Sequence, residues 1–314
     1  VRLDRRRQRR YRDPRSAAAA MTQTQDDEPQ TLVAACVQFD VRRGDVAGNL
    51  AQAEAGIEEA AKAGARLCVL PEMWSTSFLP SYDDALLAAS AAAEVRLLEL
   101  SKRHSMTVIG SSPEAAPGVV FNCARVHDCG STIGAYRKLH LFSANAEHRH
   151  HRGGDEPLVL DTSAGRIGVM IGYDLRFPDL ARYYFRKGAE ILVVPAQWPE
   201  VRSQHWRTLL RARAIENICF VLGSNRTGHD ASLKSEEVLS FLGDGRIIDP
   251  TGEVLAAGSG EAGAVTAELD MRTARTMRRI LPVHRDERPS VYRRLWDETF
   301  DSIVQQSREG QPKK

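Results

Sequence analysis

The stretch Arg166-Ile-Gly-Val-Met-Ile-Gly-Tyr-Asp-Leu-Arg-Phe-Pro178 has the form of a segment that presents a reactive group. An apolar run leads into Gly172, and a proline suited to the first turn of a helix follows at 178. A buried strand that turns sharply into a helix is where many hydrolases hold a nucleophile. At that apex Gly172 has no side chain to attack anything, although the N–H of Tyr173 remains able to donate to a developing oxyanion. Glu72 ends a strand-like run in Leu70-Pro-Glu-Met-Trp-Ser-Thr-Ser-Phe78, and Lys138 lies in Tyr136-Arg-Lys-Leu-His-Leu-Phe142. A carboxylate beside a buried lysine can shuttle a proton, and a fixed cation near a reacting carbonyl stabilises its oxyanion. Taken singly, each has an ordinary reading: a Glu at a strand end, a solvated Lys after a strand.

These residues need elements to position them. From about residue 31, strand-like and helix-like segments alternate. Leu32–Phe39 reads as a strand, and Leu50–Ala63 as a helix capped by Asn49, with Leu50, Ala53, Ile57 and Ala60 at helical spacing and Gly64 at its stop. Arg66–Leu70 is a short buried strand closed by Pro71, and a long helix covers about 83–104. Strands follow near Met106–Ser111, Val119–His127 and Thr132–Tyr136, with a hairpin turn at Asp128-Cys129-Gly130. Beyond a His-rich loop over 143–156 come strands at 157–161 and 166–171, a helix over Pro178–Lys187 and a strand at Ile191–Val194. A helix over Arg202–Asn217 and strands at Cys219–Ser224, Arg246–Asp249 and Ala264–Leu269 complete the pattern. The chain from Pro282 reads as polar and irregular. Alternating strands and helices imply an α/β fold with helices covering sheet faces.

A chain of 314 residues can bury one large core. No apolar run approaches the ~20 residues that span a bilayer, so no membrane partner is expected. Eight of the 43 Lys and Arg and two of the 41 Asp and Glu fall in residues 1–20, leaving 35 basic against 39 acidic residues beyond them. That mildly acidic body gives no electrostatic reason to expect nucleic acid binding. The Arg-rich first twenty residues, interrupted by Asp4 and Asp13 and without an apolar stripe, read as translated upstream sequence before Met21, with 21–30 a flexible N-terminus. Cys36, Cys68, Cys123, Cys129 and Cys219 show no C-x-x-C spacing and mostly fall in apolar runs, the pattern of reduced cytoplasmic thiols.

In their order, these motifs resemble the nitrilase superfamily, the carbon-nitrogen hydrolases, over about residues 31–290. The resemblance implies a four-layer α-β-β-α sandwich of the nitrilase type. It also implies a homodimer or larger assembly, to which the extension at 291–314 would contribute. It assigns Glu72 as general base, Lys138 as oxyanion stabiliser, Glu147 as a second acidic residue that orients the lysine, and the Tyr173 N–H as an oxyanion donor. The family's catalytic cysteine would stand at Gly172. Trp198, in Pro195-Ala-Gln-Trp-Pro199, would line the substrate pocket with Arg176 and His151. His151 stands where an aromatic residue is usual and Gly245 where Ser is usual, so the chain departs from the pattern at 151, 172 and 245. Tyr-Asp-Leu-Arg-Phe-Pro, Glu-His-x-His and Ala-Gln-Trp-Pro resemble the ω-amidase-type branch. Its substrates are small acids with a side-chain amide, and Arg176 is a candidate grip for the carboxylate. No cofactor is implied. His148, His150 and His151 read as a solvated loop and not as a metal site, since no second ligand group stands at metal spacing.

Three functional readings follow from the missing thiol. The chain is an amidase whose nucleophile alone has been lost, an enzyme that uses Glu72 and Lys138 without a cysteine, or a non-catalytic binder of a small amide or carboxylic acid. None of the five cysteines follows a strand at a helix N-terminus, where a thiolate is stabilised, so none is expected to replace the nucleophile.

Overall fold

The computed structural model describes residues 31–309 apart from residue 236. The readings of residues 1–20 and 21–30 lie outside the described residues.

The first half runs β1 (Thr31–Gln38), α1 (Val46–Lys62), β2 (Leu67–Val69), α2 (Asp84–Arg103), β3 (Thr107–Ala116), β4 (Val119–Asp128) and β5 (Ser131–Arg137). The second half runs β6 (Leu158–Thr162), β7 (Gly165–Val169), α3 (Pro178–Arg186), β8 (Ile191–Ala196), α4 (Ser203–Asn217) and β9 (Phe220–Asn225). After it come the hairpin β10 (Thr227–Ala231) and β11 (Val238–Leu242), then β12 (Arg246–Ile248), β13 (Val254–Ala257) and β14 (Gly263–Asp270). The chain closes with α5 (Arg272–Ile280), α6 (Val283–Asp286) and α7 (Pro289–Glu309).

Two six-stranded sheets form, in the orders β14-β1-β2-β3-β4-β5 and β13-β12-β9-β8-β7-β6. In each, three consecutive parallel strands (β1-β2-β3, β7-β8-β9) carry the helical crossovers, and antiparallel strands flank them. Strand alternation sorts the side chains. Ala34 and Cys36 of β1 meet Ile167, Val193 and Leu222 between the sheets, while Ala35 and Val37 face Ala53, Ile57 and Leu97 of α1 and α2. On the far side, Leu192, Val194 and Val221 meet Leu180, Tyr184, Trp206 and Leu210 of α3 and α4. Burial on both faces explains why these strands read as continuous apolar runs. The result is the expected four-layer α-β-β-α sandwich.

Two local expectations are corrected, and one element is added. Asp45, not Asn49, caps α1: its side chain accepts from the Gly48 N–H, whereas Asn49 is buried and bonds the Arg42 backbone and Ser75 O. The segment after Pro282 is not irregular but contains α6 and the 21-residue α7. Its apolar residues Tyr292, Leu295, Trp296 and Phe300 recur at helical spacing yet stand exposed. The hairpin β10-β11 forms a separate two-stranded sheet, which the polar run Thr227-Gly-His-Asp-Ala231 did not announce. Among the described residues, no helix is long and apolar enough to cross a membrane.

Candidate active site

Glu72 sits just beyond the carboxyl end of β2, where ligand sites gather in open α/β sheets. Its chain turns back at once. Met73 adopts φ +48, its N–H donates to Ser111 Oγ at 2.9 Å, and the Trp74 N–H reaches Ser111 O. Residues 70–77 are all buried, which fixes the glutamate's place. Lys138 follows the end of β5, and its N–H bonds Asn122 O on β4 at 2.9 Å. Glu147 opens a short 3₁₀ turn behind Ala146, which takes φ +60, and its Oε2 accepts from the Phe142 N–H at 2.7 Å.

Sequence positions up to 75 residues apart therefore meet in one buried corner. Lys138 Nζ donates to Glu72 Oε1 at 2.8 Å and to both Glu147 oxygens at 2.9 and 2.8 Å. Each of the three residues is 2% exposed. Glu72 accepts two more hydrogen bonds, from Asn122 Nδ2 to Oε1 at 2.8 Å and from the Gln197 N–H to Oε2 at 3.0 Å. Burial pushes the Glu72 carboxyl up from its ordinary value, and the neighbouring Glu147 adds to this, against the opposing pull of Lys138 and the Gln197 N–H. For Lys138 burial works against the charge, but Glu147 and Glu72 outweigh it and hold the ammonium above its usual range. The corner thus pairs a firmly charged lysine with a glutamate disposed to take a proton, as proton transfer requires.

Gly172 is brought against this corner from the other sheet. It follows β7 and opens a 3₁₀ turn, Gly172–Arg176, with φ +41. Asp174 ties the turn together. Its Oδ2 accepts from the Ile171 N–H at 2.9 Å and from Tyr136 OH at 2.7 Å, and its Oδ1 accepts from the His140 N–H at 2.9 Å and meets His140 Nδ1 at 2.8 Å. The Arg213 guanidinium holds the Leu175 carbonyl. A Cβ built on Gly172 would overlap Glu72 Oε2 and lie 3.1 Å from its carboxyl carbon. The carboxylate therefore fills the space that a side chain at 172 would take.

A cavity of about 360 Å³ opens over Glu72, Lys138, Glu147 and Gly172. Tyr173, Arg176 and Trp198 line it. The Arg176 guanidinium lies 5.0 Å from the Trp198 ring centre and its Nη2 is 3.0 Å from His205 Nδ1. His151 lies outside the lining. It packs edge-on against Phe78 and Tyr82, its Nε2 lies 3.2 Å from Tyr82 OH, and burial pushes its pKa down to about 4. His150 Nδ1 turns to Pro80 O, so the neighbouring histidines diverge. Gly245 is also outside the lining and packs on Gln38 and Cys36. Of Gly172, His151 and Gly245, only Gly172 faces the cavity.

Sequence reading missed the supports of Glu72. Asn122, a fully buried polar residue between buried Phe121 and Cys123, was a signal that could have been used. Gln197 lies inside a motif noted for its tryptophan, and its Nε2 also bonds the Glu72 carbonyl at 2.9 Å. Arg226, fully buried, joins Gln197 Oε1, Ser77 Oγ, Asp40 and Asp230, and so anchors the β10-β11 wall of the cavity to the same corner. Among the described residues, no thiol stands at the corner. Burial pushes Cys68, Cys123 and Cys219 up to about 12 and Cys36 well above its usual range, while Cys129 is exposed in the β4-β5 turn.

A two-sheet sandwich with a buried Glu-Lys-Glu corner below a cavity has the architecture of the nitrilase fold. The Carbon-nitrogen hydrolase family profile matches residues 33–279, and the chain belongs to that family. It is 36% identical over 260 residues to a 2-oxoglutaramate amidase of Bacillus subtilis, spanning 82% of this chain and 98% of that protein. It is 32% identical over 270 residues to a chloroplastic omega-amidase of Arabidopsis thaliana, spanning 81% of this chain and 72% of that protein. Among solved structures it resembles a carbon-nitrogen hydrolase from Helicobacter pylori, with TM-score 0.75 and 25% identity over 85% of this chain and 98% of that one. It also resembles Nit3 of Saccharomyces cerevisiae, with TM-score 0.70 and 28% identity over 81% and 96%.

Proposed function

We propose that this chain carries the amidase framework of its family for small linear ω-amides, with the covalent route closed because Gly172 stands in place of the nucleophile. The observation that carries the reading is the Glu72-Lys138-Glu147 corner packed against a side-chain-free elbow. In such a site Glu72 takes a proton from the attacking group, while Lys138 and the Tyr173 N–H stabilise the oxyanion of the tetrahedral intermediate. Arg176 at the cavity wall suits the carboxylate of an ω-amide acid, the substrate type of the relatives that match. Without a thiol no acyl-enzyme forms, and removing the nucleophile of a comparable triad costs on the order of 10⁶ in kcat.

A second reading, a non-catalytic binder of a small amide or acid, is favoured by one specific observation: Glu72 Oε2 takes up the room where a nucleophile would stand. Ammonia release from a panel of short ω-amides by the unaltered protein and by Gly172→Cys separates the two. Recovery of turnover in the cysteine variant supports the first. Ligand-induced thermal stabilisation of the unaltered protein, with an inert cysteine variant, supports the second. The family's pairing of protomers is carried over as part of the proposal, with the exposed apolar residues of α7 as its support, and sedimentation equilibrium tests it.

A further inference from the structure

Asn122 interrupts the apolar face of β4 that carries Ala124 and Val126. Cys123, Ala124 and Val126 on β4 are fully buried, and so is Asn122 itself. Burying an amide is unfavourable unless it is hydrogen-bonded, and this one is bonded at one end only. Its Nδ2 donates to Glu72 Oε1 at 2.8 Å, and its Oδ1 has no partner among the described residues. A side chain that served only to fill the strand would do so better as an apolar residue. The backbone of the same residue accepts from the Lys138 N–H at 2.9 Å. One residue therefore locates both members of the ion pair, Glu72 through its side chain and Lys138 through its backbone.

The donors around Glu72 are all of one kind. Oε1 receives Lys138 Nζ and Asn122 Nδ2, and Oε2 receives the Gln197 N–H. A protonated carboxyl would need an acceptor, and none of these three atoms is one. Turning the Asn122 amide over would set its oxygen against Glu72 Oε1. The charged groups facing Glu72 are Lys138 and Glu147, and Gly172 and Gln197 bring no charge.

We propose that Asn122 is a positioning residue that holds Glu72 in its ionised form, with Oε1 toward Lys138 and Oε2 toward Gly172. Asn122 acts through Glu72 and does not line the cavity. The inference concerns the same site as the amidase reading and rests on that reading only for the use to which the anion is put. Its test needs no turnover, so the two can fail separately.

The experiment is a carbon-13 NMR titration of the full chain, labelled at the glutamate side-chain carboxyls, with the Glu72 signal assigned by its loss in Glu72→Gln. In the unaltered protein at pH 7 the signal is expected to be that of a carboxylate. In Asn122→Leu and in Asn122→Ala the Glu72 midpoint is expected to rise by about one to two pH units, the effect of losing one hydrogen bond to a charged group. A purely structural role would lower the melting temperature and leave the midpoint where it was. An unchanged midpoint in either folded variant overturns the proposal. A protonated Glu72 at pH 7 in the unaltered protein overturns it without recourse to a variant.

Discussion

The buried corner and the elbow are two halves of one site, built in different ways. The corner is made by side chains: Glu72, Lys138 and Glu147, each 2% exposed, share their hydrogen bonds through Lys138 Nζ. At the elbow Asp174 and Arg213 pin the backbone, and residue 172 contributes main chain alone. The corner's partners come from β2, β4, β5, the Glu147 turn and the end of β8, and none of them is a side chain at 172. A site assembled in this way holds Glu72 and Lys138 in place with no side chain at residue 172. Glu72 Oε2 lies where a Cβ at residue 172 would stand.

The comparison can be broken first at the lysine. Lys138→Met leaves two buried carboxylates without their counter-charge and is expected to cost about 3–5 kcal/mol, read by denaturant unfolding. A cost under 1 kcal/mol would mean that the corner is not a paired unit. At the elbow, Asp174→Ala strips the acceptor from Ile171, Tyr136 and His140, and on the order of 3 kcal/mol is expected in the same assay. If the halves are independent, this variant keeps Glu72 near its parental titration midpoint.

Gly172→Ala tests the seam between them. The added Cβ meets Glu72 and forces a non-glycine residue to hold φ +41, for which about 1–2 kcal/mol is expected. A stabilising alanine would show that the carboxylate does not hold that space. The smallest effect is expected from Glu72→Gln. Burial raises the carboxyl in the folded protein above its value of 4.5 in the open chain, so the folded state keeps the proton to higher pH. Stability is then lost as pH rises through the raised value. The glutamine variant lacks this loss. Its melting temperature is expected to gain on the parent as pH goes from acid to neutral, and the gain to vanish below about pH 4.5.

Much of this arrangement could be read from the residues, for physical reasons. Strands such as Thr31–Gln38, buried on both faces, announce themselves by apolar continuity, and α1 by its helical spacing. Glu72, Lys138, Glu147, Tyr173, Arg176 and Trp198 stood out through their motifs, and all six line one cavity. What stayed hidden depends on long-range contact. Asn122 and Gln197 gain their meaning only where the two sheets meet at Glu72. Arg226 matters because it joins residues 40, 77, 197 and 230. Gly245, where the resemblance expects Ser, belongs to the packing around Gln38 and Cys36. In α7, charged residues among Tyr292, Leu295, Trp296 and Phe300 masked a helical repeat.

If Gly172 alone closes the covalent route, the hydrolytic framework around it is intact. Intact-mass spectrometry of the unaltered protein and of Gly172→Cys, each quenched with acid seconds after mixing with a short ω-amide, tests it most directly. The account predicts an acyl adduct on the cysteine variant, lost on adding Glu72→Gln or Lys138→Met, and none on the unaltered chain. An adduct on the unaltered protein, or none on Gly172→Cys across the whole panel, would contradict it.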